Sequence, residues 1–197
     1  MPTLWCRTLV LTLACITLSG CVVGQQIRLD STPQTTGIVG SGHRVAVTVE
    51  DQRETVLSGE HKPWRIGQYR AALGVPWAVN TEGKRPLADQ IRTDLEEDLA
   101  SLDFELGPGG SQLEVLITQW DFTGYQNGRF TYSLQVNALA SGGEMRHSDR
   151  LVREIEIQGT LVMGARGGFE RDMPGIYAEI ISSIARGNPD ILGALRK

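Results

Sequence analysis

The chain is poor in the residues from which most metal, redox and nucleophilic sites are built. Its 197 residues include three cysteines and three histidines. Cys6 and Cys15 fall in an N-terminal stretch with the make-up of an export signal. Without that stretch only Cys21 remains, which excludes an intramolecular disulfide and a CxxC metal or redox site. His43, His61 and His147 stand apart in polar, glycine-flanked or charged surroundings, and none belongs to an HExxH helix. No Gly-x-Ser-x-Gly element offers a serine nucleophile. The glycines of Gly37-Ile38-Val39-Gly40-Ser41-Gly42 lack the Gly-Lys-Ser/Thr ending of a phosphate loop and precede the first convincing strand. A formal net charge of −4 argues against general nucleic-acid binding. The longest apolar run, Leu9 to Leu18, falls short of the roughly 20 residues that span a bilayer.

That run is informative in another way. Arg7 precedes it, and it ends in Leu18-Ser19-Gly20-Cys21, which looks like a bacterial lipobox. Residues 1–20 are therefore expected to be a lipoprotein signal peptide, with Cys21 acylated (a palmitate-type modification) as the mature N-terminus. Arg7 is the one charged residue lost with them, which leaves a net charge of about −5. The residue after the cysteine is Val22 rather than aspartate. By resemblance to enterobacterial sorting, that choice favours the outer membrane, with the domain facing the periplasm. Each buried acyl methylene contributes about 0.8 kcal/mol, and two or more chains anchor stably.

Residues 21–42 are rich in Gln, Thr, Ser and Gly, the make-up of a flexible tether. Residues 43–197 are the right size for a single domain with a real core. Val45, Val47 and Val49 alternate with Ala46 and Thr48, the period of a strand. From Pro86 the period changes, and Leu87, Ile91, Leu95, Leu99 and Leu102 line one face of a helix. Asp89, Asp94, Glu96, Glu97 and Asp98 take its other faces and read as a solvated surface rather than a metal site, because no His or Cys accompanies them. Three alternating runs follow. The first carries Leu113, Val115 and Ile117, with Leu116 and Trp120 on the opposite face. The second carries Phe130, Tyr132, Leu134, Val136 and Ala138; the third carries Ile155, Ile157, Leu161 and Met163, with Gly159 marking a bulge or close approach. Hairpin chemistry at Tyr125-Gln126-Asn127-Gly128 and Ser141-Gly142-Gly143 joins them into an antiparallel meander. Met173, Ile176, Tyr177, Ile180, Ile181 and Ile184 fit a last long helix, followed by a cap at Asn188-Pro189. The expected fold is α+β: a two-layer sandwich with a mainly antiparallel sheet, in the order strand–helix–meander–helix, and helices covering one face.

These features together resemble the YajG-like bacterial outer-membrane lipoproteins. The resemblance is carried by the lipobox, the valine strand running into Asp51-Gln52-Arg53, Ile66-Gly67 with Gly74 beyond it, the leucine-spaced helix, the meander and the isoleucine-rich last helix. It runs from about Arg44 to Leu195. It implies a periplasmic domain anchored to the outer membrane, with no established catalytic activity, and it supplies no catalytic residues. The stretch Glu54–Arg65 is long for the connection between Arg53 and Ile66.

Aromatics make up 6% of the chain, so the place where they gather stands out. Residues 54–86 hold Trp64, Tyr69 and Trp77 among the basic residues Lys62, Arg65, Arg70, Lys84 and Arg85. Trp, Tyr and Arg are the types enriched at interface hot spots. Trp64, Arg65, Tyr69, Arg70 and Trp77 are thus the candidate partner-binding residues, against the alternative that the segment folds over the domain and buries its own aromatics. The expected function is that of a non-catalytic protein-interaction or accessory module of the cell envelope. It meets the membrane through the lipid on Cys21 and an envelope protein partner through its domain, and requires no cofactor, metal or nucleic acid. The alternatives are a binding module for a small envelope glycan or lipid component, and a cell-wall hydrolase whose two carboxylates face each other across a cleft.

Overall fold

The computed structural model describes residues 25–31, 40–71 and 74–197. The signal segment, Cys21 and Val22 lie outside these residues. In chain order the elements are β1 (Gln25–Ile27), β2 (Arg44–Asp51), the one-turn helix α1 (Glu54–Leu57), β3 (Arg65–Arg70), β4 (Pro76–Thr81), α2 (Leu87–Ser101), β5 (Glu105–Leu106), β6 (Ser111–Gly124), β7 (Gly128–Leu139), β8 (Met145–Ile157), α3 (Gly164–Ala185) and α4 (Pro189–Leu195).

The meander is present: β6 pairs antiparallel with β7, and β7 with β8. The α+β class holds, but the plain antiparallel sandwich does not. The sheet is mixed and curled, with eight strands among the described residues. β2 runs parallel to β6 along Val45–Asp51, β3 runs parallel to β6 at its far end, and β1 runs parallel to β4. The reason lies in β6. At 14 residues it is long enough to carry β2 and then β3 along one edge, and a helix returns the chain between β2 and β6, which is what a parallel pair requires.

The helical stripe is placed as its spacing predicts. Leu87, Ile91, Leu95, Leu99 and Leu102 are all buried in the core, where the helix packs on β2 and on α3. The carboxylates of α2 do not form one solvated face. Asp94 and Asp98 are buried against α3, where Asp94 accepts from the Tyr177 hydroxyl at 2.5 Å and Asp98 pairs with Arg186 at 2.5 Å. A second helix packed at the rim of the stripe turns a polar helix position into an interior one.

α3 begins nine residues before Met173, the first residue that its apolar pattern picks out, and runs through Pro174. Its opening turns contain Gly164, Gly167 and Gly168, poor helix formers. Their use is steric: a side chain on Gly168 would sit 2.2 Å from the Gln158 carbonyl oxygen, and one on Gly167 2.4 Å from the Thr160 hydroxyl. The helix start thus lies directly on the end of β8. At the other end, Asn188 Oδ1 accepts from the backbone N–H groups of Asp190 and Ile191 at 3.0 and 3.2 Å, capping α4.

Two further differences matter for the site. Within 21–42, read from composition as a tether, Gln25–Ile27 forms an edge strand, with Ile27 and Leu29 buried. Residues 54–86 are not a loop either, since they contain α1 and the β3–β4 hairpin, and the Trp77-Ala78-Val79 run lies in a strand.

Candidate interaction site

β6 positions the site through a change of phase. Leu113, Val115 and Ile117 point into the core, as do Trp120 and Phe122. The pairing with β7 shifts between Ile117 and Gln119, which makes Thr118 a bulge, and its hydroxyl donates to the Ser133 carbonyl at 3.0 Å. Trp120, expected opposite Leu113, therefore shares its face. Gln119 and Asp121 are turned to the uncovered face.

On the other edge of β6 the neighbouring strand changes at the same level. β2 ends opposite Ile117 and β3 resumes pairing at Thr123. Between them the chain leaves through α1 and returns at Trp64. Arg53 closes this break. Its Nη1 donates to the carbonyl oxygens of Arg65 at 2.7 Å and Trp120 at 3.3 Å, its Nη2 to that of Pro63 at 3.2 Å, and Nε and Nη2 to the Asp51 carboxylate at 2.8 and 2.6 Å. One buried guanidinium supplies the donors that a continuous strand would have supplied.

Above the break lies a groove of about 520 Å³, walled by Arg53, Glu60, His61, Arg65, Gln68, Gln119 and Asp121. Burial raises the Asp121 carboxyl above the usual carboxylate range, opposed by Arg65 and Arg53. Burial lowers His61, helped by Arg65. Both shifts favour the neutral forms, and Arg53 and Arg65 share the walls with the carboxyl groups of Glu54 and Glu60. Arg65 Nη2 donates to Gln68 Oε1 at 3.0 Å, while its Nε is buried with no partner among the described residues. The rest of the uncovered face is mainly a lattice of polar side chains, with Val152 exposed among them. Asn137 Nδ2 donates to Glu114 at 2.8 Å, Ser148 Oγ to Asn137 Oδ1 at 2.8 Å, and Gln112 Nε2 to the Thr48 hydroxyl at 2.9 Å.

The five partner-binding candidates do not form one site. Arg65 lines the groove. Tyr69, Arg70 and Trp77 line a different cleft of about 710 Å³ at the end of the sheet, with the Tyr69 and Trp77 rings 6.3 Å apart. Trp64 is half-buried and lines neither, and its carbonyl accepts from the Thr81 N–H at 2.9 Å. Sequence reasoning missed Asp121, because the bulge that exposes it leaves no compositional mark. It also placed Leu161 and Met163 on a strand, whereas β8 ends at Ile157. Gly159 and Gly164, which bracket Leu161-Val162-Met163, were the signal of a connection there. Among the described residues no group of three or more His, Cys, Asp or Glu side chains is placed to hold a metal, and no helix is long and apolar enough to cross a membrane.

With this geometry in view, the class of protein is that of a curled, mixed α+β domain known from bacterial proteins. The crystal structure of protein XCC0632 from Xanthomonas campestris, a DUF330 protein, is similar over 81% of this chain and 93% of its own, with a TM-score of 0.53 and 13% identity. At that identity the likeness is one of fold. The PelC dodecamer of Paraburkholderia phytofirmans aligns over 78% of this chain and 94% of its own (TM-score 0.39, 12% identity), and lipoprotein B of Nitrosomonas europaea over 79% and 88% (TM-score 0.41, 12% identity). No protein-family model and no curated protein sequence matches the chain.

Proposed function

We propose that this protein is a lipid-anchored envelope lipoprotein of the outer membrane, YajG-like in organisation, whose periplasmic domain acts as a non-catalytic interaction module. The anchor is Cys21, and the partner is an envelope protein that meets the uncovered sheet face at the Arg65–Asp121 groove. The observation that carries this reading is the chemistry of that face. Its depression is walled by arginine, amide and carboxyl groups, and the surface around it is mainly a lattice of polar side chains. A small lipid or glycan fragment is best held by a deep, mostly apolar or aromatic-lined pocket. A broad polar face with a charged, partly desolvated centre suits a protein surface instead. A photo-crosslinking residue placed at Gln119 in living cells tests this. It is expected to trap one envelope protein, and changing Arg65 and Asp121 together to Ala is expected to weaken capture by about thirtyfold or more in a variant that still unfolds in one cooperative transition. An adduct that persists in that double variant rejects the groove as the site.

A further inference from the structure

Three connections meet at one end of the sheet: the β3–β4 turn, the β6–β7 hairpin and the link from β8 to α3. Backbone and amide bonds fix the last two to one another. Ala165 N–H donates to the Tyr125 carbonyl at 2.9 Å, Gly159 N–H to Asn127 Oδ1 at 3.1 Å, and Thr160 bridges Gly164. On this frame stand Leu161 and Val162, with relative exposures of 108% and 93%, and exposed Met163 and Tyr125 beside them. Apolar side chains grouped on the surface of a fixed connection mark a docking surface. The adjoining cleft carries two charged residues among those that line it, Arg70 and Arg166, both cationic.

The start of β1 identifies what covers this end. Gln25 pairs with Val79, two residues from Trp77, and its side chain donates to Glu170, the ion-pair partner of Arg166. Cys21 precedes Gln25 by four residues, a length that spans at most about 14 Å. Acyl chains on Cys21 therefore enter a bilayer within that reach of Gln25, which itself pairs with β4 close to Trp77 of the cleft.

We infer that this end of the domain is a membrane-docking surface. Leu161, Val162 and Met163 insert among phospholipid acyl chains, Tyr125 and Trp77 sit at the headgroup level, and Arg70 and Arg166 meet headgroup phosphates. The inference rests on the reading of Cys21 as the lipid anchor. It turns the anchor from a leash into one of two contacts that fix the orientation of the domain.

The mature, acylated chain provides the test, because its one cysteine is blocked and an added thiol is unique. Val162→Cys and, at the opposite end of the sheet, Gly142→Cys are each labelled with an environment-sensitive fluorophore. The labelled chains are reconstituted into vesicles of phosphatidylethanolamine with a minority of phosphatidylglycerol. The label at position 162 is expected to shift its emission to the blue and to be quenched by lipids carrying a nitroxide on the acyl chain, while the label at 142 keeps its emission in buffer. Three results overturn docking: a label at 162 that stays in water on vesicles, one shielded without lipid as protein concentration rises, or one shielded in native envelopes but not in vesicles. The mass of the mature N-terminus reads the anchor separately. A chain found without acyl groups rejects the anchor, while a Cys21→Ser form, whose thiol at 162 is again unique, still decides the docking surface by its response to added vesicles.

Discussion

Single residues decide how the polar interior holds together. Tyr177 is buried and donates to Asp94 at 2.5 Å, and burial together with the adjacent carboxylate pushes its phenol far above the ordinary tyrosine range. It is therefore a permanent neutral donor. Tyr177→Phe leaves Asp94 with its Gln90 donor at 3.0 Å and should lower stability by about 1–2 kcal/mol in urea unfolding. Asp98→Ala should be worse, about 3–5 kcal/mol, because it leaves the largely buried Arg186 guanidinium without its carboxylate. Asp121 acts in the opposite sense. Burial raises its folded pKa, so the folded chain keeps a proton that the unfolded chain has released. Stability then falls as pH rises from the ordinary carboxylate range, near about 4, through the raised folded value. Asp121→Asn removes that loss. It should melt higher than the parent at neutral pH, with the gain vanishing below about pH 4, and an equal gain at both pH values would reject a carboxyl origin. A surface that carries this kind of unfavourable group at its centre fits a site kept for contact rather than for stability.

At the scale of elements, two glycines of α3 separate packing from propensity. A side chain on Gly168 would strike the Gln158 carbonyl, while one on Gly175 meets nothing within 4 Å. Gly168→Ala should destabilise by about 1–3 kcal/mol through overpacking, and Gly175→Ala should stabilise by about 0.5–1 kcal/mol through backbone entropy; opposite shifts in urea midpoint are the signature. The same contrast explains what was legible in the sequence. The leucine stripe of α2 and the alternation of β7 were readable because one apolar surface dictates them. Leu95, fully buried, should cost about 2–5 kcal/mol on change to Ala, whereas Glu96 on the outer side should stay within about 0.5 kcal/mol. The start of α3 was not readable, because its glycines answer to the close approach of β8 and not to helix propensity. Nor was the outward turn of Asp121, since a one-residue bulge at Thr118 inverts every side chain after it. The parallel pairing of β2 and β3 on one edge of β6 also left no local trace, because it depends on the length of β6 and on a buried arginine that bridges the gap.

For the whole molecule, the N-terminal segment is where composition and structure part most, and it bears on how the domain would be tied to the anchor proposed at Cys21. Gln, Thr, Ser and Gly make up more than half of residues 21–42, yet β1 and the residues just after it touch three elements. Gln26 Oε1 accepts from Gly83 N–H at 3.0 Å beyond β4, the Leu29 carbonyl accepts from Gln90 of α2 at 3.3 Å, and Gln25 reaches Glu170 of α3. Ile27 and Leu29 are each 4% exposed, so they close the core along the edge of β4. Two apolar residues among polar ones are too few to show a period, although they suffice to seal an edge strand against two helices. Were the segment a passive tether, changing both to Ala would move stability by no more than about 0.5 kcal/mol. As part of the core, Ile27→Ala with Leu29→Ala should cost about 4 kcal/mol or more, read as a lower urea midpoint at an unchanged denaturant slope. That result would mean that displacement at Gln25 is transmitted directly into the sheet through an edge strand. A midpoint equal to that of the parent would return residues 25–31 to the tether and separate the motion of the domain from that of the membrane.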